Sequence, residues 1–571
     1  MNASYHPSKK ILFCFLFGWT ILNALQASFT DIHADEAYYW MYSRFLDWGY
    51  FDHPPMVALF IKVGDYITHS ALGLRLCTIA SSTLSAYLLW KIVEPYAQNI
   101  KLFVLLFASM VLFHVYSFIT TPDTPLFFFS ILFLYVYQRY LTADKLKWVV
   151  ALAAICALML YSKYHGVLLI FFTILSNLSL FKRKSFYACI LLTSVFLLPH
   201  LWWQYTNGFP SLYFHLIDRS IESYTISYTI EYILPQLALA GPLVGWLLFP
   251  LSLKVKSTDL FQRALKFNLI GIFIFFLIST AKGRVEAHWT LLSFIPFMLL
   301  SYIALSRMTV IPKWFNPLAL IGIALILMLR VTLMIPISYL SNAPFFADYY
   351  GSKQWADQLS AKATDKPVFF LDAFQEPSKY NFYTNTTNAF GYNSRNYRKT
   401  QYDVWPLEDS LINKRICLIL DNPMGLDKST HTDTIATVKG TKYGYWIDSV
   451  RTYQKVNIEA LNIPTSWSAN EVRSVKISIY SPYDHTISFS NDNQKWACTL
   501  EYGYNTNGNF GAFSPFSTTF NQLTIAPGNK AELSGIIKAP SEPGKYKLIF
   551  SIRTKPFAGP RNSHYIPIEV K

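Results

Sequence analysis

The sequence predicts a polytopic α-helical membrane protein of about 11 spans, followed by an extracytoplasmic region with an α/β subdomain and a β-sandwich. Of the 571 residues, 52% are hydrophobic and only 15% are charged, whereas soluble domains carry about a quarter charged residues. Long apolar runs fill residues 11–336, while residues 341–571 have the composition of a soluble protein. We therefore predict a membrane body, residues 1–340, and two outer domains, residues 341–445 and 446–571.

The predicted spans are apolar runs near the ~20 residues that a helix needs to cross a bilayer. The first, 11–29, follows Lys9 and Lys10 as a signal peptide would. It lacks a small-x-small cleavage site, so we expect it to remain as a span. The stretch 56–67 is too short to cross and is predicted to be re-entrant or interfacial. The other ten spans are 71–94, 100–118, 124–141, 147–162, 163–181, 185–204, 232–253, 265–281, 287–305 and 314–336.

The distribution of Lys and Arg among the loops predicts the orientation of the chain. With the N-terminus in the cytoplasm, the inside loops hold sixteen of these residues and the outside loops hold five. An odd number of spans then places residues 341–571 outside, in the periplasm or its equivalent. The same rule explains the net charge of +15, so we predict a membrane-lipid environment and no nucleic-acid partner. The five outer cations are Arg44, Lys163, Arg219, Lys282 and Arg284.

Most of the unusual polar residues of the membrane body fall in five segments of the predicted outer face. Charged groups near membrane depth are costly and usually mark a polar pathway or a site. The first segment, 31–55, is the richest and holds four candidate residues. The candidates are Asp35, Glu36, Asp52 and His53 in that segment, Asp123 in 120–125, Lys163 in 161–166, Arg219 in 199–219, and Arg284 and His288 in 282–289.

For four of the five segments, the charged residues also have an explanation that involves no function. Asp123 lies between two prolines and could cap the helix that follows it. Lys163 could extend to the interface, and Arg284 could be a membrane-edge anchor. Asp35 and Glu36 could begin an interfacial helix, since carboxylates are favourable in a first turn. The aromatic side of that helix is predicted to face the headgroup layer because four residues recur at helical spacing, namely Tyr38, Met41, Phe45 and Trp48.

Carboxylates, cations and an aromatic rim beside lipid suit the transfer of a sugar from a polyprenyl-phosphate donor. Cations neutralise the departing phosphate, and a carboxylate takes the proton of an attacking hydroxyl. Phosphate is already a good leaving group, so the second carboxylate that glycosidases use as an acid is not required. Two other classes remain open. A flippase of lipid-linked sugars predicts mid-membrane polar residues and an inverted repeat, and a sensor predicts a ligand site in the outer sandwich.

The run Ala34–Trp40 and the segment Leu46–Met56 resemble the bacterial GT-C glycosyltransferases. The resemblance is strongest to the branch that includes protein mannosyltransferase-like enzymes and the lipid A aminoarabinose transferase. It extends in order across residues 30–300. Supporting matches are Pro122–Leu126, Ser162–Tyr164, Trp203–Pro210 and Arg284–Trp289, with a weaker element at Gln401–Asp403.

The resemblance implies an inverting transferase on the outer face of the bacterial inner membrane, acting on a lipid, glycan or protein acceptor. Dependence on a divalent metal varies among such enzymes, so a metal is neither required nor excluded. His53 stands where the aminoarabinose branch tends to carry Lys, so aminoarabinose is not implied as the sugar. The implied roles are catalysis for Asp35 and Glu36, donor and acceptor binding for Asp52, His53 and Asp123, and binding of the donor phosphate for Lys163, Arg219, Arg284 and His288.

The C-terminal region carries strand patterns of two kinds. Two apolar runs, Pro367–Leu371 and Ile416–Leu420, lie among helix-compatible stretches and predict the small α/β subdomain. Further on, apolar and polar residues alternate between turn signals and predict the antiparallel sandwich, for which we expect a packing role. The alternating residues are Val475, Ile477, Ile479, Leu548, Phe550 and Ile552, and the turn signals are Ala526–Asn529 and Pro543–Gly544.

Overall fold

A computed structural model describes residues 7–213, 215, 224–337, 339, 343–422, 431–506 and 509–571. It divides into two compact units, Met1–Tyr350 and Gly351–Lys571. Within the described residues, the first unit is entirely helical and the second holds all of the β-sheets.

The helices of the first unit follow the predicted apolar runs. Within the described ranges, six helical segments are long and apolar enough to cross a membrane. Two further apolar helices, Leu146–Ser162 and Gly166–Ser176, are shorter. The helices are α1 Pro7–Phe29, α2 Ala34–Arg44, α3 Met56–Ile67, α4 Ala71–Val93, α5 Ile100–Ala108, α6 Val111–Val115, α7 Asp123–Thr142, α8 Leu146–Ser162, α9 Gly166–Ser176, α10 Lys184–Thr206, α11 Pro210–Tyr213, α12 Ile226–Leu239, α13 Gly245–Lys254, α14 Leu260–Ser279, α15 Leu291–Ser306, α16 Phe315–Met334 and α17 Pro344–Ala347.

Two of the predicted spans are interrupted, and the two interruptions touch. The span 100–118 is divided into α5 and α6, and the span 232–253 is divided into α12 and α13. In the second break Gly241 has a φ of 128° and precedes a proline, a combination that ends a helix. A Cβ atom at Gly241 would lie 2.9 Å from the carbonyl oxygen of Ser109, so only glycine fits at this contact.

Burial separates the central helices of the first unit from the peripheral ones. In the segment 287–306, 83% of its 18-residue apolar stretch is buried inside the protein. In 184–206, only 17% of the corresponding stretch is buried. Leu191, Leu198 and Trp202 of α10 are among the exposed apolar side chains, as expected for a helix that faces lipid. The predicted fold class is confirmed, and the chain is a multi-pass membrane protein.

The predicted interfacial helix is α2, and its surroundings differ from the prediction. Tyr38 and Met41 are almost completely buried in protein rather than facing lipid. The helix ends at Arg44, so Phe45 and Trp48 lie beyond it. The prediction of a lipid-facing side was wrong because helical spacing identifies an apolar face but not what covers it. Here α3 packs directly against α2.

The second unit begins with two helices and a five-stranded sheet in the order β2-β1-β3-β5-β4, in which β1 pairs in parallel with β2 and β3. The strands that follow form a three-stranded sheet, β14-β8-β6, a six-stranded sheet built on β11-β10-β15-β16-β7 with β12 beside β10, and the pair β13-β9. The elements are α18 Ser352–Ala363, β1 Val368–Leu371, α19 Gln375–Thr384, β2 Ala389–Tyr392, β3 Ile416–Leu420, β4 His431–Thr437, β5 Gly440–Ile447, β6 Asn457–Ala460, β7 Ser466–Trp467, β8 Val472–Tyr480, β9 Ile487–Ser488, β10 Cys498–Thr506, β11 Asn509–Phe510, β12 Ser514–Pro515, β13 Thr524–Ile525, β14 Lys530–Lys538, β15 Gly544–Thr554 and β16 Ile566–Val570.

The strand predictions for this unit are confirmed. The two apolar runs of the α/β part form β1 and β3, and the alternating residues of β8 and β15 point into one apolar core. Gly528, with a φ of 66°, makes the turn between β13 and β14. Cys417 and Cys498 are buried and do not form a disulfide.

The weaker predicted family element, Gln401–Asp403, is a buried 3-10 turn in this second unit. Asp403 accepts hydrogen bonds from the backbone N–H of Thr400 at 2.7 Å and from the side-chain amide of Asn393 at 2.6 Å. Burial raises the pKa of Asp403, against the effect of Lys399 and of these hydrogen bonds. These hydrogen bonds come from neutral donors, so they are the contacts of a turn that holds the α/β part together.

Candidate active site

The first candidate residues lie at the start of α2. The backbone N–H of Asp35 donates to His33 Nδ1 at 3.2 Å, and Glu36 accepts from the backbone N–H of His33 at 2.8 Å. This reciprocal cap begins the helix at Ala34. It also sends the two neighbouring carboxylates in different directions, because the Asp35 side chain is 37% exposed while that of Glu36 is fully buried.

Glu36 and Arg75 form a saturated ion pair, which we call the loop clamp. Arg75 donates to both carboxylate oxygens of Glu36, at 2.9 and 2.5 Å. Glu36 also accepts from the backbone N–H groups of His33 and Thr120, so it receives four hydrogen bonds. All five guanidinium donors of Arg75 are used, since the remaining three donate to the carbonyl oxygens of Ala27, Thr30 and Asp31 at 2.8 to 3.1 Å.

Arg75 is a residue that sequence reasoning missed. It lies within the apolar run 71–94 and is fully buried in α4. The available signal was the presence of a charged side chain inside a predicted span, which is costly without a partner. Its partner could not be read from the sequence because Glu36 is 39 residues away along the chain.

Asp52 and His53 lie in a bend between α2 and α3, and both contact α2. The Tyr42 hydroxyl donates to the carboxylate of Asp52, which is buried. The His53 ring centroid lies 5.6 Å from that of Tyr39. Burial, followed by the charges of Asp35 and Asp52, raises the pKa of Tyr39 well above its usual value. Its phenol therefore stays protonated and is available as a hydrogen-bond donor.

Asp123, Lys163 and His288 form a second charged group, which we call the Asp123 centre. Lys163 Nζ donates to both carboxylate oxygens of Asp123, at 2.9 and 2.8 Å, and His288 Nε2 lies 3.9 Å from Asp123 Oδ2. Asp123 makes no side-chain cap to α7, and Lys163 is 9% exposed rather than extended to an interface. The structural explanations for these two residues therefore do not describe their contacts.

Histidines connect the Asp123 centre to the first loop. His53 is within electrostatic range of Asp123, and His288 is within range of Asp35. His215 Nε2 donates a hydrogen bond to the backbone carbonyl oxygen of Asp52, at 3.0 Å. The candidates Asp35, Asp52, His53, Asp123, Lys163 and His288 therefore form one polar cluster.

The imidazole of His165 is a further member of this cluster that sequence reasoning did not select. It lies within electrostatic range of Lys163 and of the other imidazoles of the cluster. Its Nδ1 atom is buried and has no hydrogen-bond partner in the described part of the chain. Trp289 lies against it with ring centroids 5.4 Å apart.

The loop between α2 and α3 is held by the end of α10. His200 Nδ1 lies 2.7 Å from the carbonyl oxygen of Trp48, and the Tyr164 hydroxyl oxygen lies 3.0 Å from His200 Nε2. A Cβ atom at Gly49 would lie 2.4 Å from the Trp203 ring, so only glycine permits this approach. The segment 199–204 lies at the end of the predicted span 185–204 and forms the last turns of α10 despite Pro199.

Of the remaining two predicted phosphate ligands, the structure describes Arg284, whose carboxylate partners lie outside the cluster. Arg284 is 61% exposed, and its Nε atom lies 3.5 Å from Glu231 and 3.6 Å from Glu286. Arg219 lies outside the described residues. Within the described ranges, no three His, Cys, Asp or Glu side chains are grouped so that they could hold a metal ion.

The cluster combines groups that can act on a phosphate-linked substrate. Asp35 is a half-exposed carboxylate that can take a proton. Lys163, with His53 and His288 beside it, offers positive charge or hydrogen-bond donors to an anionic leaving group. Tyr39 offers a neutral donor, and the loop clamp holds the backbone that carries Asp35.

The chain is similar to known proteins in part of its sequence and in its fold. Residues 52–203 match the family model described as dolichyl-phosphate-mannose-protein mannosyltransferase. Among solved structures, the chain is similar to ArnT from Cupriavidus metallidurans in the apo state, with a TM-score of 0.59, and bound to undecaprenyl phosphate, with a TM-score of 0.56. Both matches have 14% sequence identity and cover 77% of this chain and 98% of that chain. Comparison with curated proteins gives no match.

The family match covers the segment that carries Asp52, Asp123 and Lys163, and the structural match extends over most of the chain. The predicted enzyme class, a glycosyltransferase that uses a polyprenyl-phosphate-linked sugar, agrees with both. The chain is therefore a multi-pass membrane protein with the GT-C fold, similar to the mannosyltransferase family and to ArnT, as the sequence resemblance indicated.

Proposed function

We propose that this chain is an inverting glycosyltransferase that moves a sugar from a polyprenyl-phosphate donor to a lipid, glycan or protein acceptor. The observation that carries the proposal is the gathering of Asp35, the Asp123 centre and several imidazoles into one polar cluster of a membrane protein. The similarity to ArnT bound to undecaprenyl phosphate supports a donor of this type.

In this mechanism the acceptor hydroxyl attacks the anomeric carbon of the donor sugar on the face opposite the phosphate. The new carbon–oxygen bond forms while the bond to phosphate breaks, and its electron pair leaves with the phosphate. Asp35 takes the proton of the hydroxyl. Attack from the opposite face inverts the anomeric centre.

Lys163 and the histidines receive the negative charge that develops on the phosphate. Asp123 holds Lys163 in place through two hydrogen bonds, and His53 and His288 lie near the same carboxylate. Asp52 is assigned to the binding of donor or acceptor. Arg284 is assigned to the exposed surface beside the cluster, where it adds positive charge. For Glu36 we propose a positioning role, because its four hydrogen bonds leave no lone pair directed at a substrate.

We further propose that the reaction takes place on the outer face of a bacterial inner membrane, with the N-terminus in the cytoplasm. The sixteen-to-five distribution of loop cations supports this orientation. Three further cations, Lys62, Arg75 and Arg330, are not included in that count and lie within α3, α4 and α16.

The test is sugar transfer by the purified protein in liposomes that contain polyprenyl-phosphate sugars. Donor and acceptor are identified first, by mass spectrometry of glycolipids and glycoproteins from cells with and without the chain. A mass difference of one sugar identifies both halves of the reaction. Asp35→Asn is expected to lower the rate by about 10²- to 10⁴-fold without unfolding the protein.

The matched control is Asp357→Asn, which changes an Asp of α18 that is 54% exposed and is expected to leave the rate unchanged. Full activity in Asp35→Asn would remove Asp35 from the catalytic role. Passage of the lipid-linked sugar across the bilayer with no acceptor modified would instead show a flippase.

A further inference from the structure

The end of the first unit returns to the start of α2. After α17, Asp348 places its Oδ2 atom 3.8 Å from His33 Nε2, and the Tyr349 ring centroid lies 5.9 Å from that of His33. Tyr349 is buried in an apolar cluster with Phe118 and Leu333. The segment that carries Asp348 is therefore anchored beside the residue that caps the catalytic helix.

His33 lies between two carboxylates. Its Nδ1 atom is 3.9 Å from Asp35 Oδ2, and its Nε2 atom is 3.8 Å from Asp348 Oδ2. Because Nδ1 accepts a hydrogen bond from the backbone N–H of Asp35, its proton is on Nε2, which faces Asp348. The three side chains are 30% to 39% exposed, so they have room to rotate and contact with water.

A histidine at the N-cap position of α2 indicates a role besides capping. Asn, Asp and Ser are the strongest helix N-caps, and an imidazole is not among the preferred groups. A cap alone would also not require a carboxylate on the far side of the ring. An imidazole between two carboxylates can receive a proton at one nitrogen and release one from the other, and proton transfer is a known role of histidine.

We propose that His33 and Asp348 form a relay that removes from Asp35 the proton taken from the acceptor. This inference rests on the proposed function. After the sugar has been transferred, the proton on Asp35 Oδ2 passes to His33 Nδ1. The imidazolium gives its Nε2 proton to Asp348 Oδ2, from which water takes it. The neutral ring is then protonated on Nδ1, and exchange with water at its exposed edge removes that proton and returns one to Nε2, so that all three groups regain their starting charges and His33 its starting tautomer.

Both gaps are longer than the 2.6 to 3.2 Å over which a proton is transferred directly. Rotation of the half-exposed side chains, or one bridging water at each gap, closes them. The other charged and titratable groups around His33 are Glu36 on its own helix, Arg75, which is paired with Glu36, and Tyr349. Burial and the charge of Glu36 raise the pKa of Tyr349, so it stays a neutral phenol and does not compete for the proton.

The relay selects a class of acceptor. A hydroxyl must lose a proton when it attacks, whereas a phosphate group on a lipid is already ionised at neutral pH. A site that provides both a base and an exit for the proton is suited to a hydroxyl acceptor. We therefore expect transfer to hydroxyl groups rather than to phosphate groups.

The test separates capping from proton transfer. His33→Asn keeps a strong N-cap but cannot carry a proton, while His33→Ala removes both. We expect His33→Asn and Asp348→Asn to lower kcat by at least about 10-fold at low buffer concentration, with the KM for the donor unchanged. Imidazole added as a mobile base is expected to restore much of the rate in His33→Asn.

The pH profile is the second readout. His33 can accept a proton from Asp35 only while its imidazole is neutral, so the wild-type rate is expected to fall as the pH is lowered. This part of the acidic limb should be absent in His33→Asn. Asp357→Asn is again the matched control and should behave as wild type.

Three outcomes would overturn the relay. His33→Asn with the kcat and pH profile of the wild type, combined with a loss of stability in His33→Ala, would show that His33 only caps the helix. Wild-type transfer to phosphate acceptors alone would refute the relay and leave the glycosyltransferase function in place. A wild-type protein that transfers no sugar would refute the proposed function and the relay together.

Discussion

The loop clamp and the Asp123 centre are both ion pairs of the first unit, yet they use their hydrogen-bonding capacity in opposite ways. In the loop clamp, Arg75 has all five donors occupied and Glu36 accepts four hydrogen bonds. In the Asp123 centre, Lys163 is bound by one carboxylate and lies beside His288, whose side chain is 41% exposed. A saturated pair can only hold the backbone, whereas a pair bordered by imidazoles can exchange partners with a substrate.

The largest effect is expected from Arg75→Met, which leaves Glu36 buried without its counter-charge. Removing one partner of a buried pair costs about 3–5 kcal/mol, so the variant should unfold at a markedly lower temperature in detergent. Arg284→Met is the matched control, because that side chain is 61% exposed and its ion pairs are worth about 0–1 kcal/mol. Equal thermal stability of the two variants would show that the loop clamp does not stabilise the fold.

A pair of double variants separates structural charge from catalytic charge. Replacing both partners by neutral groups avoids an unpaired buried charge, so Glu36→Gln/Arg75→Met and Asp123→Asn/Lys163→Met should both be more stable than Arg75→Met. Transfer is expected to fall less in the first double variant, which loses only positioning contacts, than in the second, which loses its phosphate-stabilising charge and should fall by about 10²- to 10³-fold. Equal activity in the two double variants would show that the loop clamp and the Asp123 centre do not differ in function.

Gly49→Ala tests how tightly the loop beside the cluster is held. Its Cβ atom would overlap the Trp203 ring, and overpacking of this kind costs about 1–3 kcal/mol. Transfer should fall because Asp52 and His53 follow the shifted segment. Gly18→Ala in α1 is the control, since nothing lies within 4 Å of its Cβ position, and thermal unfolding with initial rates measures both. Unchanged rates in Gly49→Ala would mean that the loop adapts.

The smallest effect is expected from Arg284→Ala. The guanidinium is solvent-exposed and bordered by Glu231 and Glu286, so the change in stability should stay within about 1 kcal/mol. The KM for the donor is expected to change by less than about 5-fold, which corresponds to roughly 1 kcal/mol. A much larger rise in KM would place Arg284 on the donor phosphate and extend the Asp123 centre to the rim.

The sequence placed Asp35 and Glu36 in one predicted catalytic motif, but it did not show that their side chains point in different directions. The motif that contains them identifies the position of a site, and the cap that begins α2 then decides which carboxylate turns outward. The same limit applies to His33, which appears in the sequence as an ordinary loop residue. Its environment becomes visible only when Asp348, from the end of the first unit, lies beside it.

By itself, the sequence determined the membrane class, the helical segments and the strands of the second unit. Those properties depend on the length and period of apolar runs, which are local. Only the tertiary structure decided that α2 is covered by protein, that Glu36 meets Arg75 and Thr120, which are 39 and 84 residues away, and that Asp123 holds Lys163. Such pairings depend on how helices pack, and a buried charge takes whichever partner the packing brings within hydrogen-bond distance.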